Sequence, residues 1–146
     1  MVDDLYQDLI LDHSKRPRNC RAMADANHNA EGYNPLCGDK LKLFLKMDGD
    51  VVKDVSFVGS GCAISTASAS LMTESLKGKT RAEAMKMLEK FHELLTTDTA
   101  VSQDLGKLVV FCGVRDYPAR VKCATLAWHT LKSALTNNTD EPVSTE

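Results

Sequence analysis

Hydrophobic and polar residues alternate most regularly over residues 40–47. Leucine or methionine stands at every second position there, and lysines, with one phenylalanine, fill the positions between them. A period of two predicts a strand with one buried face. Asp48-Gly49 then predicts a hairpin turn into a second strand over residues 51–58. The middle of the chain is therefore expected to form an antiparallel hairpin.

Apolar residues spaced three and four apart, together with capping signals, predict four helices. The first ends before Pro17, and the second follows a glycine break and consists largely of small residues. Thr80-Arg81-Ala82-Glu83 is a capping-box pattern that begins the third, and Pro118 suits the first turn of the fourth. The predicted helices cover residues 3–13, residues 62–77, a stretch from Thr80 through Phe91, and residues 118–135.

The remaining segments carry weaker signals. Residues 17–36 are polar without a clear period, which predicts a long loop with room for one edge strand. Residues 96–106 predict a loop or a short helix, and β-propensity alone makes residues 108–111 a strand. We expect one folded domain over residues 1–136, followed by a disordered polar tail over residues 137–146.

Composition narrows the class of protein. The chain has 146 residues and a formal net charge of −2, which fits one domain and argues against nucleic acid as a partner. No apolar run approaches the ~20 residues of a membrane span, and the acidic start does not fit a signal peptide. We therefore expect a cytoplasmic protein without a membrane partner. In that compartment its five cysteines favour metal binding or catalysis over disulfides.

Three cysteines stand where a loop meets a strand or a helix: Cys37 in a turn bracketed by proline and glycine, Cys62 after the glycine break, and Cys123 after Pro118. A helix N-terminus favours the thiolate form of cysteine. Asp39 adds a carboxylate two residues after Cys37. Three thiolates and a carboxylate make a tetrahedral zinc set, and soft sulfur also suits copper(I) or iron–sulfur clusters.

The residues alone leave a second reading open, because free cysteine is among the most buried residue types. Inert burial is the expected state of Cys20 and Cys112. A cysteine protease would need a histidine base, and His129 lies on a different helix face from Cys123. Three thiolates would also make a bound metal a poor Lewis acid, so hydrolysis is not expected. Three other histidines stand in no motif and are expected at the surface or an interface: His13, His28 and His92.

Three motifs, in order, resemble those of the IscU/NifU-N family of iron–sulfur cluster assembly proteins, and the resemblance extends over residues 3–135. It is closest to the SufU branch. Lys122 stands where scaffold proteins of the IscU type have a histidine, their chaperone-recognition segment is absent, and residues 96–108 resemble the insertion of SufU proteins. The motifs are Asn34-Pro35-x-Cys37-Gly38-Asp39, Gly59-x-Gly61-Cys62-x-Ile64-Ser65 and Pro118-x-Arg120-x-Lys122-Cys123-Ala124-x-Leu126-x-Trp128.

The resemblance implies a fold. It indicates an α+β domain in which a small, mainly antiparallel three-stranded sheet carries helices on one side. It also implies that residues 107–112 are helical, against their β-propensity, and we adopt the helical prediction.

The resemblance also implies a function. Proteins of this branch accept persulfide sulfur from a SufS-type cysteine desulfurase, a pyridoxal phosphate enzyme, and pass it toward downstream iron–sulfur assembly proteins. Cys37 would be the acceptor, released when a histidine of the desulfurase replaces it on zinc. Arg120 is a candidate for pairing with Asp39 or with a carboxylate of the partner. The implied zinc ligands are Cys37, Asp39, Cys62 and Cys123.

Two alternatives remain at this stage. In the first, the protein is a scaffold: iron or a [2Fe–2S] cluster is assembled on the same residues and is transferred from them. In the other alternative zinc has a structural role only.

Overall fold

The computed structural model describes residues 2–35, 38–96, 106–108, 110–111, 114, 117–136 and 143–144. Cys37 and Cys112 lie outside the described residues, as do residues 97–105 of the predicted loop or short helix over residues 96–106 and most of the predicted tail. No helix in the described part of the chain is long and apolar enough to cross a membrane.

The sheet has the strand order β3-β2-β1-β4. Its strands are β1 (His28–Asn34), β2 (Asp39–Asp48), β3 (Val51–Ser60) and the two-residue β4 (Val143–Ser144). The β1–β2 and β2–β3 pairs are antiparallel, whereas β4 lies parallel to β1 beside Gly32 and Tyr33. The predicted three-stranded, mainly antiparallel sheet is confirmed, and a short fourth strand extends its edge.

The hairpin forms where the alternation predicts it. Leu41, Leu43, Leu45 and Met47 are buried, while the lysines between them lie toward the other face of the sheet. A register shift between β2 and β3 occurs at Lys46 and Met47.

Strand β1 has only a weak signal in the sequence, because most of its residues are polar. It is a full strand between β2 and β4, whereas the sequence predicted a loop with room for an edge strand. Its buried positions are Ala30, Gly32 and Asn34, which give almost no hydrophobic periodicity. Gly32 is required there because a Cβ atom would overlap the hydroxyl of Thr130 on the helix above. The strand is therefore specified by close packing against that helix.

The chain has four helices in its described part, of which α2 and α4 contact the sheet: α1 (Val2–Lys15), α2 (Ala63–Leu76), α3 (Arg81–Thr96) and α4 (Pro118–Leu135). Helix α4 lies on β1 and β2, α2 lies between α1 and α4, and α3 packs on α4. Trp128 of α4 stacks on Phe91 of α3 with ring centroids 4.7 Å apart. The four predicted helices are confirmed.

Local signals at the helix ends also behave as predicted. The Thr80 N–H donates to Glu83 Oε1 at 3.0 Å, and the Glu83 N–H donates to Thr80 Oγ1 at 3.1 Å, which is a capping box.

The β-propensity of residues 108–111 was misleading. The described residues 106–108 and 110–111 form 3₁₀ turns, and their apolar side chains enter the core.

His13 is buried, although the sequence indicated the surface or an interface. It is 1 % exposed, its Nδ1 lies 2.7 Å from Ser70 Oγ, and its Nε2 lies 3.6 Å from Glu74 Oε1. Burial lowers the pKa of His13 below its ordinary value of 6.5, and the positive charge of Arg18 acts in the same direction. His13 therefore joins α1 to α2 as a neutral imidazole.

This burial predicts a pH-dependent stability. The unfolded chain takes up a proton at His13 as the pH falls through 6.5, while the folded protein resists it, so the free energy of unfolding decreases toward acid. Urea unfolding at about pH 7.5 and about pH 5.5 measures this loss. His13→Gln should show a smaller loss than the parent protein. Equal losses in the two proteins would contradict the prediction.

Candidate metal centre

Three potential metal ligands from three different elements meet at one end of the sheet. Asp39 is the first residue of β2, Cys62 caps α2, and Cys123 lies in the second turn of α4. One ligand atom from each lies within 4.8 Å of those of the other two. Among the described residues, this is the one group of three or more such side chains that lies this close together.

The carboxylate of Asp39 is fixed by two donors. Asp39 is fully buried, its Oδ1 accepts the backbone N–H of Cys62 at 2.9 Å, and its Oδ2 accepts the side-chain amide of Asn34 at 3.3 Å. A buried carboxylate needs such donors because desolvation without them is costly. The carboxylate therefore has a defined orientation beside both thiols.

Gly61 makes this arrangement sterically possible. A Cβ atom at residue 61 would overlap Oδ1 of Asp39, the same oxygen that accepts the Cys62 N–H. The glycine break recognised in the sequence therefore serves two purposes. It ends β3 near Ser60, and it leaves space for the Asp39 carboxylate.

The two thiols have different surroundings. Cys62 is half-buried at the N-cap of α2, and its Sγ accepts the backbone N–H of Ser65 at 3.4 Å. Cys123 is buried, and its Sγ accepts the Asn34 amide at 3.5 Å. A buried thiolate requires compensating charge or hydrogen bonds. A cation between the two sulfurs would supply that charge.

The donor set fits zinc. Tetrahedral coordination with Zn–S bonds of ~2.3 Å separates neighbouring ligand atoms by about 3.8 Å, so the observed spacing needs only a small closure. Two thiols and one carboxylate also leave a fourth position for another ligand. Cys37 is the predicted fourth ligand; it lies outside the described residues, in the connection over residues 35–38 between β1 and β2.

The structure separates the other candidates from this centre. Arg120 is exposed in the first turn of α4, and in the described part of the chain it does not pair with Asp39, whose carboxylate is buried. The prediction that Cys20 is buried was wrong: it is exposed, and its backbone bridges to Phe57 of β3. His129 faces His92, with ring centroids 6.0 Å apart.

Asn34 is the site residue that sequence reasoning missed. The Cys37 motif begins with Asn34, but the motif by itself assigns this residue no role. The available signal was an asparagine directly before Pro35 at the start of that motif. Its partner Cys123 is 89 residues away in the sequence, so only the fold shows the contact.

A family model for the NifU-like N-terminal domain matches residues 5–124. The chain belongs to this family. The predicted family is therefore confirmed. A curated relative in this comparison, the zinc-dependent sulfurtransferase SufU of Bacillus subtilis, is 42% identical over 135 residues, covering 92% of this chain and 91% of the relative.

Relatives with scaffold names are also similar to this chain. The iron–sulfur cluster assembly scaffold protein IscU of Streptococcus pyogenes is 38% identical over 135 residues, covering 92% of this chain and 84% of that protein. The solved structure of an iron–sulfur cluster assembly scaffold protein for the SUF system from Fervidobacterium islandicum superposes with a TM-score of 0.82 at 39% identity. The superposition covers 88% of this chain and 94% of the Fervidobacterium chain. This member of the NifU-like family is thus similar to proteins with both kinds of name.

The geometry at Gly61 predicts a specific metal-binding defect. In Gly61→Ala the new methyl group displaces the Asp39 carboxylate, so zinc affinity should fall by about 10- to 100-fold, the usual effect of disturbing the support of a ligand. Competition with a chromophoric chelator measures the affinity. Ser60→Ala is the matched control, because Ser60 is the exposed neighbour of Gly61. Unchanged affinity in Gly61→Ala would contradict this account of the glycine.

Proposed function

We propose that this protein is a zinc-dependent sulfurtransferase that accepts persulfide sulfur from a SufS-type cysteine desulfurase for iron–sulfur cluster assembly. The observation that carries the proposal is the convergence of Asp39, Cys62 and Cys123 beside the connection that contains Cys37. The similarity to a protein named zinc-dependent sulfurtransferase SufU supports it.

Four residues would hold the metal. Bound zinc keeps cysteine ligands deprotonated at neutral pH, below the usual thiol pKa of ~8.5. The hydrogen bonds to Asp39 and the capping position of Cys62 keep two ligands in place without the metal. Cys37 is the ligand proposed to leave, since it alone also serves as the acceptor. The proposed ligands are Cys37, Asp39, Cys62 and Cys123.

The proposed transfer is an exchange between thiolate and persulfide. The Cys37 thiolate attacks the terminal sulfur of the desulfurase persulfide, a new S–S bond forms at Cys37, and the S–S bond of the donor breaks. The donor cysteine leaves as a thiolate, so no outside oxidant or reductant is consumed. The rate of such an exchange depends on the thiolate fraction and on access to the attacking sulfur.

Residues of this chain contribute to that step by their position. Cys37 lies two residues before Asp39, whose carboxylate is fixed, so the acceptor is tethered close to the rigid part of the site. Arg120 is exposed near the start of α4, where it is available to a carboxylate of the partner. Both features suit a site that must meet a second protein.

A scaffold on which a [2Fe–2S] cluster is assembled and transferred is the second candidate. The similarity to a protein named IscU scaffold and to a solved scaffold protein for the SUF system favours it. Lys122 weighs against it, because a protonated lysine cannot replace the histidine ligand found at this position in scaffold proteins. A cluster that forms on the purified protein and moves intact to an apo acceptor would support the scaffold.

The first test is alanine release by a SufS-type desulfurase at low reductant. The zinc-loaded protein should stimulate release, and Cys37→Ala should return the rate to that of the desulfurase alone, because the acceptor thiol is missing. Cys20→Ala is the matched control, since Cys20 is exposed and remote from the ligand cluster. Full stimulation by Cys37→Ala would contradict the proposal.

Removal of zinc gives a second prediction. Chelation should abolish stimulation, and added zinc should restore it, while far-UV circular dichroism shows a folded domain throughout, because the apolar core is formed by the sheet and helices without the metal. Zinc at about 100 times its Kd should add about 2.7 kcal/mol to the free energy of unfolding. Unfolding of the domain on chelation alone would favour a structural role for zinc.

A further inference from the structure

Asn34 ends β1 directly opposite Asp39 in the β1–β2 register, and its side chain is fully buried. Its Nδ2 lies 3.3 Å from Oδ2 of Asp39 and 3.5 Å from Sγ of Cys123. One amide group therefore contacts two of the three clustered ligands.

The chemistry of the amide suits both contacts. A side-chain NH₂ group has two hydrogens, so it can donate to the carboxylate and to the sulfur together. Hydrogen bonds to an ionised acceptor are shorter and stronger than neutral ones. Asp39 and Cys123 would bind a metal as carboxylate and thiolate, so both contacts of the amide would be of this stronger kind.

The location of Asn34 also fixes the orientation of the ligand side chains. Oδ1 of Asp39 is held by the Cys62 N–H, so the bond from Asn34 to Oδ2 completes the orientation of the carboxylate. Its contact with Cys123 connects β1 to α4, the helix that packs on this strand. The amide thus links the strand, the carboxylate and the buried sulfur.

We propose that Asn34 is a positioning residue for the metal centre: its amide orients Asp39 and Cys123 for a thiolate-binding metal ion and thereby sets the affinity of the site. This inference rests on the metal-binding part of the proposed function and is independent of sulfur transfer.

Cobalt(II) is the probe, because its thiolate charge-transfer band reports the sulfur ligands directly, and zinc affinity follows from competition. Asn34→Ala removes both hydrogen bonds and should weaken binding by about 10- to 100-fold, the usual range for partners behind metal ligands. The charge-transfer band should also change in position or intensity. A purely structural role would lower the stability of the metal-free protein without altering the band of the loaded protein.

Two further variants keep the test decisive. Asn34→Ser retains one hydrogen-bond donor without adding charge, so its loss of metal affinity should be smaller than that of Asn34→Ala. It also provides the measurement if the alanine variant does not fold. Asn27→Ala is the matched control. Two of the side-chain hydrogen bonds of Asn27 go to the backbone of Met47, at the other end of the β1–β2 pair.

The possible outcomes distinguish a failure of the role of Asn34 from a failure of the proposed function. Normal affinity and an unchanged band in Asn34→Ala or Asn34→Ser would overturn the role of Asn34 and leave the proposed function standing. An equal loss in Asn27→Ala would also overturn it, because the effect would then be general to the fold. A parent protein that binds cobalt(II) without a thiolate band would overturn both proposals.

Discussion

Burial of the Asp39 carboxylate is the constraint on which the site depends. A buried charge without partners costs several kcal/mol, and here the donors come from the end of β1 and the beginning of α2. The carboxylate can be buried only when the strand and the helix meet in this register. Gly61 adds a steric condition, because no side chain fits beside the carboxylate. Folding of these elements and assembly of the site are therefore coupled.

Small polar residues of α2 hold the helices in the arrangement that brings the two thiols together. Ser68 Oγ donates to the carbonyl of Ala124 on α4 and accepts the indole N–H of Trp128. Ser70 Oγ accepts the backbone N–H of Arg18 and contacts His13 on α1. Small side chains permit close approach of the helices, and their hydroxyls then satisfy buried polar groups. The relative positions of α2 and α4 therefore rest on directional bonds as well as on apolar packing.

Local sequence patterns were enough to predict the hairpin, the capping box and the four helices, because each depends on neighbouring residues. Strand β1 was expected only as an edge strand somewhere within residues 17–36, because its buried positions Ala30, Gly32 and Asn34 give almost no hydrophobic periodicity. β-propensity alone indicated a strand at residues 108–111, because apolar residues that pack into the core as 3₁₀ turns have the same composition as a strand. The described residues 106–108 and 110–111 form 3₁₀ turns, which agrees with the helical prediction that the family resemblance gave for residues 107–112. The cluster of Asp39, Cys62 and Cys123 was expected from the family motifs, whereas spacing alone left it open. The contacts of His13 and Asn34 span 57 and 89 residues and needed the fold.

The single tryptophan of the chain lies on α4, the helix that also carries Cys123. Trp128 is buried against Phe91, and its indole shares the Ser68 hydroxyl with the carbonyl of Ala124, the residue after Cys123. Fixed aromatic packing produces a near-UV circular dichroism signal that disappears when side-chain packing loosens. The Ser68 hydroxyl of α2 connects the indole to the residue that follows Cys123, so the protein carries an intrinsic optical reporter for any rearrangement of α2 against α4.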